Sequence, residues 1–487
     1  MKTLKVICFI GLAVLFFQCK QAESKPEVVE IEAPDFSSVS QVETGKAVNV
    51  MLTSYSTTLI ANGKDKTNLR IAVTDSLGRE ITSAQDSIRL YVTGKGTIKT
   101  SDEKEFTLGT DTTGTQYAKA KLENGIFNLQ FIAGNETDKV KVEAKSGTLW
   151  PGAHEIHTIP GDIEYKIPTK NQLPKTTKPI DRMIGADISF LPQIEEQWKR
   201  KLFENGEEID AIQLLKNHGI NYIRLRVFVN PENEKGYSPK DGYCDLEHTL
   251  AMAKRIKAAG LKFLLDFHYS DYWADPQQQF KPKAWEGLNF EELQAQVTSY
   301  TSDVLNALKA QETSPDMVQV GNEINHGMIW PDGHIGNPDG LASLLKAGVK
   351  GVNNVDSSMP IMMHIALGGQ NDEAVFWLDN MIARGVEFDI IGLSYYPRWH
   401  GTLNDLHFNL HDLIKRYNKP LNVVEYGNRI KSVHDIVFNL PDDFGKGAAF
   451  WEPLGPRSGL FDNEGNVQEG ISVYDALNAT YINIKEE

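Results

Sequence analysis

The chain has 487 residues, 41% of them apolar, which is long enough for two or three separate cores. Its net charge of −15 argues against a nucleic-acid partner, because neutralising phosphates takes clustered Lys and Arg, and fits a neutral substrate better.

The first element is an export signal. "MKTLKVICFIGLAVLFFQC" has Lys2 and Lys5, an apolar run from Val6 to Phe17 and then Cys19. The run is too short and too near the start for a spanning helix. Its Leu-Phe-Phe-Gln-Cys ending resembles the looser lipoprotein box of Bacteroidetes. That resemblance implies cleavage of residues 1–18, acylation of Cys19 and an outer-membrane lipid anchor, with the protein at the cell surface. Cys8 would leave with the signal, so only Cys244 remains, and no internal disulfide is expected. No Cys/His cluster has zinc-site spacing.

Residues 19–40 are polar, aperiodic and contain Pro, as a flexible tether does. Over 41–165 runs such as "LRIAVTDSLGREI", "GIFNLQFIAG" and "DKVKVEAKSG" alternate apolar and polar residues between Gly, Asp and Asn turns. This spacing predicts an all-β immunoglobulin-like sandwich. No cluster of aromatics marks a glycan-binding face there, so the sandwich is read as a spacer. Residues 166–181, rich in Pro, Lys and Thr, form a linker. The barrel described next is therefore expected to fold and act without the sandwich.

From 182 to 487 apolar runs alternate with helix-period stretches. Eight runs, starting at "MIGADIS" (183–189) and ending at "GAAFWEP" (447–453), predict a (β/α)₈ TIM barrel. The rival, a doubly wound open sheet, lacks a Gly-rich phosphate turn after its first strand. Barrel chemistry sits at the C-terminal strand ends. Those ends carry Asp187, Arg224 and Arg226, Asp266 and His268, Asn322 and Glu323, His364, Tyr395 and Tyr396, Glu425, and Trp451 and Glu452.

A single Glu at a strand end is ordinarily a salt-bridge partner. Two, on the fourth and seventh strands, suit glycoside hydrolysis, in which one carboxyl protonates the leaving oxygen and the other attacks the anomeric carbon. Arg226 is assigned to keep one carboxylate ionised and Tyr395 to hydrogen-bond it. Arg224 points the same way as Arg226, and parity alone does not separate them. Asn322 would hold a sugar hydroxyl and Trp451 a sugar face. Trp273, Trp285, Trp330 and Trp399 offer further stacking places.

The motifs "DFHYSDYWADPQ", "VQVGNEINHGMIWP", "GLSYYPRWHGTL", "VVEYGN" and "FWEP" resemble the arabinogalactan endo-β-1,4-galactanases of glycoside hydrolase family 53. The resemblance implies Glu323 as acid/base and Glu425 as nucleophile. It implies Asp187, Arg226, His268, Asp271, Trp273, Asn322, His364, Tyr395 and Trp451 around a β-1,4-galactan chain. A monomer is expected, touching membrane only through its anchor. Bacterial relatives often bind calcium on a longer loop after the nucleophile. Here 25 residues separate Glu425 from Trp451, with few spare carboxylates, so no cofactor is expected and calcium is not favoured. The alternatives are a retaining endo-glycanase acting on mannan or xylan, and a non-catalytic glycan-binding surface lipoprotein.

Overall fold

The computed structural model describes residues 45–102, 104–173 and 178–483. The signal, Cys19, the tether and part of the linker lie outside the described residues.

Residues 49–159 form two facing sheets. One has four strands in the order Asn49–Ser54, Lys66–Thr74, Ile126–Ala133, Gly96–Thr100. The other has six, with Gly152–Ile159 between Thr58–Ile60 and Lys139–Lys145. Alternation decides the core. In Lys139–Lys145 the side chains of Val140, Val142 and Ala144 are buried, while Lys139, Lys141 and Lys145 face water. The inward set meets Leu69, Ile71 and Phe131 of the opposite sheet.

The second part is a closed parallel barrel of Met183–Asp187, Tyr222–Val227, Lys262–Phe267, Met317–Val320, Ile361–Ile365, Ile390–Tyr395, Leu421–Tyr426 and Gly445–Trp451. The first strand pairs with the last, Asp187 beside Trp451. The floor inside is apolar: Met183, Tyr222, Leu264, Met317, Met362, Ile390, Val424 and Ala449. Two residues further along a strand the side chain points the same way. Arg224, Asp266, Gln319 and His364 therefore make a buried polar layer directly above that floor.

The sandwich does not stand clear of the barrel: it is docked onto it through polar contacts. Thr53 donates to Asp405 at 2.8 Å. Arg70 pairs with Glu80 at 2.7 Å and with Asp405 at 3.3 Å. Thr402 donates to Glu80 at 2.6 Å. Thr57 and Thr58 reach Glu373, and Ile159 packs into the barrel's own core. At Gly401 a Cβ would lie 2.3 Å from Thr53 Oγ1, and φ is +80°, so the close approach needs glycine. Tyr165 stacks on Phe376 and donates to Asp379 at 2.5 Å, and the linker beyond it is held too: the Lys166 N–H donates to Asn380 at 3.2 Å and Lys178 pairs with Asp389 at 3.0 Å. Among the described residues, no helix is long and apolar enough to cross a membrane.

Candidate active site

The fourth barrel strand ends at Val320, and the chain then turns sharply through Gly321, φ +86°. Glu323 follows with φ 48° and ψ 51°, a left-handed conformation that a non-glycine residue holds only when its surroundings impose it. A bulge in the seventh strand, between Val423 and Tyr426, puts Val424 and Glu425 on the same side. Glu425 thereby faces the barrel axis while Tyr426 packs outward against Tyr474. One oxygen each of Glu323 and Glu425 and one nitrogen of His364 all lie within 4.8 Å of one another.

The two carboxyls have opposite surroundings. Burial, then the charge of Glu425, pushes Glu323 well above the ordinary carboxyl range. Its polar contact is Ser394, which donates to Oε1 at 2.6 Å. Burial also raises Glu425, but the Arg224 charge and the Tyr396 hydroxyl oppose it. Arg224 Nη1 lies 3.3 Å from Oε2, and Tyr396 donates to Oε1 at 2.8 Å. Two like charges this close do not both ionise. Glu323 holds the shared proton and Glu425 carries the charge.

Arg224 is the centre of the polar layer. It pairs with Asp187 at 2.8 Å and Asp266 at 2.9 Å, and donates to Asn322 at 2.7 Å. Burial opposes the charge on Asp187, and Arg224 and Arg226 more than compensate, so Asp187 stays below the usual range. His364 is neutral, because burial and Arg224 drive it well below its ordinary value. His364 Nε2 lies 2.8 Å from the Ser394 hydroxyl, which also reaches Glu323. Nδ1 of His364 faces Asn322 Oδ1 at 3.0 Å, Gln319 at 3.1 Å and the Glu323 N–H at 3.4 Å.

Arg226 does not reach either Glu323 or Glu425. It pairs with Glu452 at 2.7 Å and sits 4.4 Å from the Phe190 ring and 4.5 Å from Trp273. The role expected of Arg226 belongs to Arg224, one turn of the pleat lower. Trp273 and Trp451 meet edge to face at 6.3 Å beside this cation, forming an aromatic wall. His268 holds Asp266 at 3.1 Å and takes the Ala274 N–H at 3.2 Å. Asn322 in turn donates to the Ala274 carbonyl at 2.8 Å.

Three other expectations are corrected. Tyr395 faces outward, fully buried, and donates to the Gly401 carbonyl, so Tyr396 is the tyrosine on Glu425. Asp271 takes backbone N–H groups of Asn230 at 3.0 Å and Lys283 at 2.9 Å, which makes it a loop brace and not a sugar ligand. Trp285 is 3% exposed and cannot stack on substrate. Trp399, 52% exposed beside Tyr396, can. Ser394, Tyr396 and Gln319 went unassigned in the sequence, although Ser394 and Tyr396 share the parity that excludes Tyr395.

The Glu323–His364–Glu425 set does not suit a metal ion. His364 is engaged at both nitrogens, and a guanidinium already lies 3.3 Å from Glu425. Calcium takes six to eight oxygens, and two of the three acids between Glu425 and Trp451 already face cations. Asp435 pairs with Lys431 and Asp443 with Arg182 and Lys446.

A closed parallel barrel with one protonated and one ionised carboxyl facing each other at its mouth is the site of a glycoside hydrolase. Known proteins agree. The sequence model of glycosyl hydrolase family 53 matches residues 183–432, and that of glycoside hydrolase family 2 C-terminal domain 5 matches residues 50–154. An uncharacterized protein of Niallia circulans is 51% identical over 251 residues, half of this chain and 66% of that one. Arabinogalactan endo-β-1,4-galactanase A of Aspergillus niger is 36% identical over 267 residues, covering 53% of this chain and 74% of that protein. The catalytic domain of an Ignisphaera aggregans family 53 enzyme superposes with a TM-score of 0.57 at 33% identity, over 62% of this chain and 98% of that one. The chain belongs to glycosyl hydrolase family 53 and is a glycoside hydrolase.

Proposed function

We propose that the enzyme hydrolyses internal β-1,4-galactosidic bonds of galactan, as in pectin side chains, by double displacement with retention. The observation that carries the mechanism is the carboxyl pair. Its oxygens come within 4.8 Å, close to the ~5–5.5 Å separation of retaining sites and well short of the ~6.5–9.5 Å that leaves room for an inverting water. In the first step Glu425 attacks the anomeric carbon, the bond to the leaving sugar breaks, and Glu323 gives its proton to the departing oxygen. In the second, water attacks the glycosyl ester, Glu323 takes a proton from it, and Glu425 is released. Arg224 and Tyr396 keep the nucleophile charged, and Ser394 orients the acid. The galactan specificity is supported by the activity for which the Aspergillus relative is named and by the aromatic faces of Trp273, Trp451 and Trp399. Carried by the acylated Cys19, the enzyme would work at the outer membrane.

The test is product analysis on β-1,4-galactan with mannan and xylan alongside, and proton NMR of the first-formed product. Galactan oligomers appearing initially as β-anomers are expected. Cleavage of mannan or xylan in preference would replace the substrate, and an initial α-anomer would overturn the double displacement. Glu323→Ala and Glu425→Ala should each abolish polymer hydrolysis. Glu323→Ala alone should keep activity on an aryl galactobioside, whose leaving group needs no proton.

A further inference from the structure

The sandwich meets the barrel beside the chemistry. Thr58 Oγ1 lies 2.7 Å from His326 Nε2, and Glu373 Oε1 lies 3.1 Å from the same nitrogen. Thr57 gives both its N–H and its hydroxyl to Glu373 Oε2, each at 2.6 Å. Thr58 is also 3.2 Å from Glu373 Oε1. His326 closes the short turn Ile324–His326 that begins on Glu323. The rest of that turn is anchored within the barrel. Trp377 donates to the Ile324 carbonyl at 2.8 Å, Asn325 accepts from Ala366 at 3.3 Å, and the other His326 nitrogen faces the Pro276 carbonyl at 2.7 Å. Each of the three residues after the strained Glu323 is therefore held, and the third is held partly from another domain.

The nucleophile's side is braced in the same way. Thr53 and Arg70 grip Asp405, and Glu80 grips Thr402, at the start of the helix Leu403–Tyr417. Immediately before it His400 accepts the Tyr396 N–H at 2.9 Å. A spacer has no reason to engage the segments after the fourth, fifth and sixth strands together, those that carry Glu323, Glu373 and Tyr396. Both sets pair buried with buried or partly buried polar groups across the boundary, so the arrangement of one domain fixes that of the other.

We propose that the all-β domain is a working part of the active site, with Thr58 as a positioning residue for Glu323 acting through His326 and Glu373. The proposal rests on the acid/base role given to Glu323 above. A left-handed backbone relaxes once its surroundings stop imposing it, and an error of about 1 Å in a reacting group costs about 100-fold. Loosening the His326 anchor should thus impair proton donation before it impairs the fold.

The experiment uses the full chain and two substrates: galactan, whose leaving sugar must be protonated, and a dinitrophenyl β-galactobioside, whose leaving group need not be. Thr58→Val removes the hydroxyl without changing the side chain's shape, and Thr58→Ser restores it. The expected result for Thr58→Val is a fall in kcat/KM of about ten-fold or more on galactan with little change on the aryl substrate. Thr58→Ser should recover the galactan rate. Equal falls on both substrates, or no fall on either, overturn the proposal. If Thr58→Val does not accumulate as folded protein, the same ratio is read on Glu373→Gln. Failure of the underlying role looks different: Glu323→Ala would then fail to separate the two substrates.

Discussion

Tyr396→Phe removes one oxygen, the hydroxyl that donates to Glu425 Oε1 at 2.8 Å. The acceptor carries charge, and such bonds contribute about 1.5–3 kcal/mol. At ~1.4 kcal/mol per tenfold, kcat/KM should fall roughly ten- to hundred-fold if the bond holds through the transition state. A pH signature accompanies the loss. Tyr396 holds Glu425 down against burial, so without it Glu425 binds its proton more tightly. Less enzyme carries an ionised nucleophile at a given acidic pH, and the acid limb of kcat/KM moves to higher pH. Tyr395→Phe is the comparison. Its hydroxyl donates to the Gly401 carbonyl at 3.2 Å, a neutral bond far from the carboxyls, so about 1 kcal/mol of stability and little activity should be lost. Steady-state kinetics from pH 4 to 8 on both variants decides the matter. A Tyr396→Phe enzyme with an unmoved acid limb and undiminished kcat/KM would refute the reasoning, as would a larger kinetic loss in Tyr395→Phe.

Dialysis against a chelator should leave activity and melting temperature unchanged, since Asp435 and Asp443 after Glu425 already face cations; a loss of both that calcium alone restores would reverse this. The His326–Glu373 pair should make the domain boundary sensitive to alkali. Burial opposes both charges, but their mutual contact wins, raising His326 above its ordinary value and lowering Glu373 to about 2. The Glu373 contribution is present above its unfolded value and lost as pH falls toward about 2, whereas the His326 contribution is present below its unfolded value and lost as pH rises through the folded one. The neighbouring imidazoles His157 and His334 are depressed by burial and stay neutral in this range. Melting temperature should therefore decline above pH 6.5 in wild type and decline less steeply in Glu373→Gln; parallel profiles would count against the pair.

The barrel and its two carboxyls were legible because they depend on local pattern. Eight apolar runs at regular spacing leave few closed architectures, and a Glu at the end of a buried run has nowhere to go but the mouth. Choosing among neighbours was harder, because it depends on pleat and register. Arg224 and Arg226 share a face, and only height within the barrel separates them. The lower one meets Asp187, Asp266 and Glu425 together, while the upper one lies between Phe190 and Trp273. Tyr395 and Tyr396 differ in face, and counting from the floor residue Ile390 through Ser394 would have selected Tyr396. The seventh strand defeats such counting. Its bulge turns Val424 and Glu425 inward together, and no local sequence signal announces the break.

The boundary between the domains was illegible for a different reason. A linker rich in Pro, Lys and Thr looks the same whether the domains it joins are free or docked. The residues that dock them are Thr, Arg, Glu and Asp, which read as ordinary surface until a partner is in place. Arg70 sits on a strand whose outward positions are expected to face water, and Glu373 opens a helix where an acid is favoured by the helix dipole alone. Each has a sufficient local explanation, so neither calls for a second one. Their partners lie more than 300 residues away along the chain: Thr57 with Glu373 and Arg70 with Asp405. The close fit at Gly401 shows the same thing from the other side. In the sequence it is a turn glycine after a short helix, and its φ of +80° justifies it as one. That the missing side chain also admits Thr53 from the sandwich follows only from the assembled fold. A pattern-based reading thus divides such a chain into independent units by default, and it does so most readily where the units are joined by buried polar pairs instead of an apolar face.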